Sequence, residues 1–229
     1  MSTPFVVAVD GPSGSGKSSV SRAVARHLGA GYLDTGAMYR ALTWWCLESG
    51  VDLGDADAVV AAARELPLAM GADPDEPGVH VGDVDVTEAI RSSQISGRVS
   101  TVATIPAVRS ELQLQQRDLI TVIGDELGSV VAEGRDITTV VAPDADVRLL
   151  LTASEDARLR RRTQELHGGT DAESVERTRD EVVRRDRDDS TVSSFLTAAD
   201  GVSTLDTSDL TFEESVAAAV ALVDAAREG

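Results

Sequence analysis

Residues 5–9, FVVAV, are apolar without alternation, the pattern of a short strand buried on both faces. A polar loop broken by glycines follows. Beyond it, SSVSRAVARHLG repeats Val20, Val24 and Leu28 at helical spacing, and Gly29 can end that helix. AGYLDTG predicts a second strand, AMYRALTWWCLESG a helix, and DADAVVAAARELP a further helix stopped at Pro67. The texture changes at 68–86, LAMGADPDEPGVHVGDVDV, where Asp, Gly and Pro separate brief β-like pieces; this predicts short strands and tight turns in an insertion between core elements. Helical patterns return in TEAIRSSQISGRVSTVA and IPAVRSELQLQQRDLITVIG. GSVVAEGRD and DVRLLLTA read as two more core strands. An arginine-rich helix, a charged loop, the strand-like GVSTLDTS and a closing helix from TFEESVAAAVALVDAAR complete the chain. Strands alternating with helices predict an α/β fold around a mostly parallel sheet. No internal repeat or low-complexity tract interrupts it.

The loop between the first strand and helix, GPSGSGKS from Gly11 to Ser18, fits the phosphate-loop pattern G-x-x-x-x-G-K-[ST] in full and in its proper strand-loop-helix context. Gly11, Gly14 and Gly16 allow a backbone path that turns amide N–H groups toward an anion, and the helix start adds its dipole. Pro12, Ser13, Ser15 and Ser19 complete or flank the cradle. Lys17 is placed to reach β- and γ-phosphates, and Ser18 to offer a hydroxyl to Mg²⁺. Lys17 is also the only lysine among 21 basic side chains. A compact ammonium fits a tight loop where arginine's planar fork does not. The loop therefore predicts nucleoside triphosphate binding. The N-K-x-D element of guanine-nucleotide switches needs a second lysine, so its standard form is absent.

Charge and composition narrow the partners. At 229 residues the chain suits a single domain, and its 42% hydrophobic content suffices for a largely aliphatic core, since aromatics are only 3%. A net charge of −18 argues against a nucleic-acid polymer as partner, although local arginine clusters can still form a positive pocket. Cys46 stands alone, so neither an intrachain disulfide nor a thiolate metal cluster is expected, and it reads as a small core residue. The start of the chain lacks a signal-peptide pattern, and no apolar run is long enough for a membrane span, which predicts a cytoplasmic protein. Outside the loop, positive charge gathers at LDTGAMYR (Tyr39, Arg40), AVR (Arg109), GRD (Arg135, Asp136) and RRDRDDS (184–190). Arginines at strand ends and helix starts clamp phosphates, and adjacent carboxylates take ribose hydroxyls or base amines. Together with the phosphate loop they predict a second nucleotide site.

These segments, with VSTVATIPAVR, VVAEGRDITTVVAPDADVRLLLTAS, RRDRDDST and LDTSDLT, make nearly the whole chain resemble the cytidylate kinase family, the bacterial CMP/dCMP kinases of the nucleoside monophosphate kinase group. The resemblance implies a three-layer P-loop NTPase fold with a small NMP-binding insertion (66–92) and an arginine-rich lid (155–192). It implies transfer of the ATP γ-phosphoryl to CMP or dCMP with Mg²⁺, by a monomer. Carried onto matching positions, Ser100, Arg109 and Asp136 would read cytosine, an Asp carboxylate suiting the N4 amine. Arg40 and Arg135 would hold the acceptor phosphate, with Thr35 and Tyr39 beside them, Arg185 as a further phosphate contact and Asp189 on the sugar. Arg158 and Arg162 of the ARLRRR helix would meet the donor phosphates. An acceptor phosphate already ionised near neutral pH needs no general base, which leaves His27, His80 and His167 without catalytic roles. Two positions depart from the family pattern. Val192 stands where an arginine belongs, in a segment about two residues shorter than usual with Phe195 near the expected proline. Thr138 stands where glycine is common, and would be costly if its φ were positive. The readings left open are a related kinase for UMP, AMP or dTMP, and a catalytically weak ATP-binding regulator.

Overall fold

The computed structural model describes residues 3–167, 178, 179, 184 and 186–228, apart from the side chains of 165–167. Five parallel strands form the main sheet: β1 (Phe5–Asp10), β2 (Gly31–Asp34), β6 (Ser129–Gly134), β7 (Val147–Thr152) and β8 (Ser203–Asp206), in the order β2-β6-β1-β7-β8. The apolar runs follow from burial on both faces. Val7 and Val9 of β1 and Val131 of β6 pack toward α1 (Lys17–Leu28) and the terminal helix α8 (Phe212–Glu228), through Val20, Val24, Ala219 and Val223. Ala8, Val130 and Ala132 point the other way, toward Met38 of α2 (Thr35–Glu48) and Ile120 and Ile123 of α6 (Pro106–Leu127). Helix, sheet and helix make the three layers of the expected α/β architecture.

A separate apolar cluster joins α2 and α6 to α3 (Ala56–Glu65), α5 (Val99–Ala103) and a small antiparallel sheet. That sheet is β3 (Leu68–Met70), β4 (Val79–Val81) and β5 (Val84–Asp85), with Leu68 opposite Val81 and His80 opposite Asp85. The β3–β4 loop lies against the main body. The Tyr32 N–H donates to Ala72 O (2.8 Å), covering the edge strand β2, and Arg22 donates to Pro74 O (2.5 Å) and Asp75 O (2.9 Å). Cys46 is fully buried in this cluster, and burial pushes its thiol up to about 11, which fits a packing role.

Two stretches differ from the sequence reading. The helical pattern at 87–103 is not one helix but a 3₁₀ turn at Ala89–Arg91, then α4 (Ser93–Ser96), then α5. The Ser92 side chain accepts from Ile95 N–H and starts a new helix, which ends at Gly97. After β6 the chain makes a π-helical turn, Ile137–Val141, that apolar patterning does not predict. Its start is fixed by Asp10, whose buried carboxyl accepts from Ile137 N–H (3.0 Å), Thr138 N–H (2.8 Å) and the Thr138 hydroxyl (2.6 Å). Burial raises the Asp10 pKa, and the Thr138 and Ile137 bonds oppose that rise.

No described residue other than glycine has a positive φ, so Thr138 sits in ordinary backbone geometry and its hydroxyl is used. Glycine there would lose that bond and loosen the unfolded chain. Thr138→Gly is expected to destabilise the fold by about 1–2 kcal/mol, read as a lower urea midpoint at unchanged slope. Among the described residues, no helix is long and apolar enough to cross a membrane.

Candidate active site

Parallel register brings the carboxyl ends of three strands together: Asp10 lies opposite Gly134, Val9 opposite Glu133, and Glu133 opposite Asp34. The phosphate loop leaves β1 there and enters α1. Its glycines are needed where the backbone is crowded. A Cβ on Gly11 would collide with the Leu151 carbonyl, and one on Gly14, at φ +75°, would come within 2.7 Å of Arg158 O. The Lys17 ammonium lies on Glu133, whose side chain is fully buried and also accepts from the Tyr32 hydroxyl. Burial, and then the Glu133 charge, push the Tyr32 phenol well above its ordinary pKa, so it stays a donor.

Beside the loop, Asp34 caps α2 by accepting from Ala37 N–H (2.9 Å) and pairs with Arg40 (2.8 Å). Burial alone would raise its pKa; Arg40, Lys17 and the Ala37 N–H together hold it below the usual value. The Thr35 hydroxyl donates to Glu133 O (2.7 Å). Farther along the wall, Arg109 reaches from α6 to Asp136 (2.5 Å) and lies 5.9 Å from the Tyr39 ring centroid, while Gln113 also donates to Asp136 (2.7 Å). Arg135 Nε is 3.3 Å from Asp189, and its guanidinium lies 5.3 Å from the Phe195 ring centroid. On the opposite side, α7 (Glu155–His167) places Arg158 against the loop: it donates to Ser13 O (3.1 Å) and pairs with Asp186, which accepts from Ser13 N–H (3.3 Å). Arg161 donates to Thr207 O (2.6 Å) and Ser15 O (3.3 Å).

One cavity of about 550 Å³ unites these walls. Its lining includes Pro12, Ser13, Gly14, Gly16, Lys17, Ser18 and Ser19 of the loop, and Thr35, Tyr39, Arg40, Arg109, Arg135, Asp136, Arg162 and Asp189 beyond it. Seven cationic side chains face it against three carboxylates, opposite to the chain's overall charge of −18. Gly11, Ser15 and Arg158 lie just behind the lining. Ser100 is on α5 between the lining residues Val99 and Ala103 but does not itself line the cavity. Arg185 lies outside the described residues. The oxygens of Ser18 and Asp34 suit a hard cation, but among the described residues no group of three or more His, Cys, Asp or Glu comes together as a metal site. The buried Arg40 Nε has no protein hydrogen-bond partner among those residues, a polar atom suited to a ligand.

The family model for cytidylate kinase matches residues 7–225. The chain belongs to the cytidylate kinase family. It is 44% identical over 223 residues to a cytidylate kinase of Streptomyces avermitilis, covering 97% of this chain and 94% of that protein. It is 47% identical over 216 residues to one from Nocardia farcinica, covering 93% and 91%. A crystal structure of an uncharacterized protein from Eubacterium ventriosum superposes with a TM-score of 0.52 at 9% identity, covering 96% of this chain and 98% of that one, a likeness of fold alone.

Within this family member, sequence reasoning missed Glu133, Tyr32 and Asp186, while Arg161 lies in the ARLRRR helix expected to meet the donor phosphates. Glu133 carried a signal, since its charge interrupts the apolar strand SVVAEG. The others have no motif of their own. Val192 is half-buried, its N–H on Asp189 O, and is not in the cavity lining.

Asp34→Asn keeps a cap acceptor but removes the charge facing Arg40. A carboxylate with a lowered folded-state pKa stabilises the fold above its unfolded pKa and loses that contribution as pH falls through the folded value. The variant should therefore be less stable by about 1–2 kcal/mol at pH 7, and the gap should close in acid. Urea titrations of both proteins from pH 7 to pH 3 check this.

Proposed function

We propose that the protein transfers the γ-phosphoryl group of ATP to CMP or dCMP, giving ADP and CDP or dCDP. The observation that carries this reading is the single cavity with a complete phosphate loop at one end and the wall of Arg40, Arg109, Arg135 and Asp136 at the other. Like-charged phosphates must be drawn into line before either reacts, and cations around the meeting point offset their repulsion. Family membership supports the same reaction.

In this reading the loop amides and Lys17 hold the donor phosphates, and Arg158 and Arg162 approach them from α7. The Ser18 hydroxyl would help hold the Mg²⁺ that accompanies ATP, and the ion would supply charge that offsets the phosphates. Arg40 and Arg135 hold the acceptor phosphate, with Thr35 and Tyr39 beside them and Arg185 as a further contact. Asp136 accepts from the cytosine N4 amine, and Arg109, already oriented by Asp136, addresses the ring carbonyl side; Ser100, off the lining, supports that wall through α5. Asp189 takes a sugar hydroxyl. An ionised acceptor oxygen attacks the γ-phosphorus as the bond to the β–γ bridging oxygen breaks, so no proton has to move. The reading carries with it a cytoplasmic monomer acting on small-molecule nucleotides.

ADP formation should be measured with CMP, dCMP, UMP, AMP and dTMP supplied separately, beside a blank without acceptor. Rapid turnover with CMP and dCMP alone is expected, with Lys17→Ala lowering kcat by about 100-fold or more. Preference for another monophosphate would move the substrate assignment to that nucleotide. ATP binding without transfer to any acceptor would replace the enzyme with a regulator.

Val192 replaces one of the family's acceptor-side arginines. Restoring it with Val192→Arg should lower KM for CMP; an unchanged KM would show that this position lacks access to the acceptor.

A further inference from the structure

Among the described residues, Phe195 is a fully buried phenylalanine that belongs to none of the three apolar clusters. Its ring faces a cation instead: the Arg135 guanidinium carbon lies 5.3 Å from the ring centroid. Arg135 also lines the nucleotide cavity, with its side chain only 17% exposed. Among the described residues, its polar contacts are one ion pair and one hydrogen bond. Nη1 donates to Gly134 O at 3.3 Å, and Nε lies 3.3 Å from Asp189 but makes no hydrogen bond. A long arginine side chain loses substantial rotamer freedom when fixed, so each further contact that restrains its plane matters. A buried aromatic face adds both a flat wall and an attraction for the cation, strengthened by exclusion of water.

The segment bearing the ring is anchored beside the same pair. Asp189 O accepts from Val192 N–H (3.2 Å), from Ser193 N–H (3.1 Å) and from the Ser193 hydroxyl (3.1 Å). One residue thus orients Arg135 through its carboxylate and holds the turn that leads to Phe195 through its carbonyl. We infer that Phe195 is a positioning residue for the acceptor nucleotide, fixing the Arg135 guanidinium toward the acceptor phosphate; this rests on the proposed reading of Arg135. Its ring acts through the arginine and does not touch substrate.

The test separates ring electronics from packing. Trifluorophenylalanine at position 195 nearly preserves the shape while weakening the negative face; Phe195→Leu keeps apolar bulk without a ring. Steady-state kinetics with varied CMP, and separately varied ATP, are measured for each in the native and Arg135→Ala backgrounds. The expected result is a KM for CMP raised about threefold to tenfold by either change, KM for ATP unmoved, and no further rise once Arg135 is alanine. A raised KM for CMP in Arg135→Ala beside an unchanged KM in the fluorinated protein would overturn the positioning role alone. An equal rise in both backgrounds would do the same, since the effect would not pass through Arg135. An unchanged KM for CMP in Arg135→Ala would overturn the acceptor reading of that arginine, and this inference with it. The fluorinated protein keeps the test decisive if the leucine variant does not fold.

Discussion

A carboxylate with no solvent exposure, Glu133, constrains everything built around it. An isolated charge in a protein interior costs several kcal/mol, and removing one member of a buried pair costs about 3–5 kcal/mol. Here the compensation comes from Lys17 and the Tyr32 hydroxyl, one delivered by the phosphate loop and the other by β2. Three consecutive strands in space, β2, β6 and β1, are thereby tied together at their carboxyl ends. The tie also accounts for a chain that uses arginine at every other basic position yet keeps one lysine. A guanidinium is wider, planar and directional, and a tight loop next to a buried acid has room for a compact, rotatable ammonium.

Sheet topology then decides where the chemistry lies. In an open parallel sheet the strands end on one side, and the helices that follow start there with their N–H groups exposed. The phosphate loop uses one such start, and α2, capped by Asp34, supplies Tyr39 and Arg40 from another. The β6 end contributes Arg135 and Asp136, which Arg109 meets from α6. A surface carrying net negative charge thus surrounds a cavity with an excess of cations. The local field within the low-dielectric cleft, not the acidic exterior, is what an anionic ligand meets.

Much of this was legible from residue patterns, for specific reasons. Strands buried on both faces have no polar alternation, so FVVAV and LLL stand out, and the phosphate loop is a contiguous motif whose backbone path its glycines enforce. The 87–103 segment misled because a serine cap and a glycine broke a pattern that still looked helical. The π-helical turn was hidden because it depends on Asp10, 127 residues away in sequence from its bonding partner Ile137. Thr138 shows the same limit: its place in the chain suggested backbone strain, but its partner across the sheet shows a hydrogen-bonding role. Asp186 stood only within the charged RRDRDDS run and Phe195 only as a residue where a proline was expected; what each does lies in what it touches.

Those two residues, with Asp189, bring the ends of the cavity under common control. Asp186 accepts from the phosphate-loop amide of Ser13 and pairs with Arg158, which itself donates to the Ser13 carbonyl. One helical turn later Asp189 faces Arg135, and the chain then runs through a hydrogen-bonded turn to Phe195 beneath the same arginine. Ser190 N–H donates back to Asp186 O at 2.9 Å, so the contacts on the two sides belong to one continuous piece of backbone. The segment therefore touches the phosphate loop at one end and Arg135 at the other. In a reaction whose barrier lies largely in aligning two anions, contacts from one short segment to both sides of the cavity favour a fixed spacing between them. The spacing of Asp186 and Asp189 within that segment is set by local helical geometry.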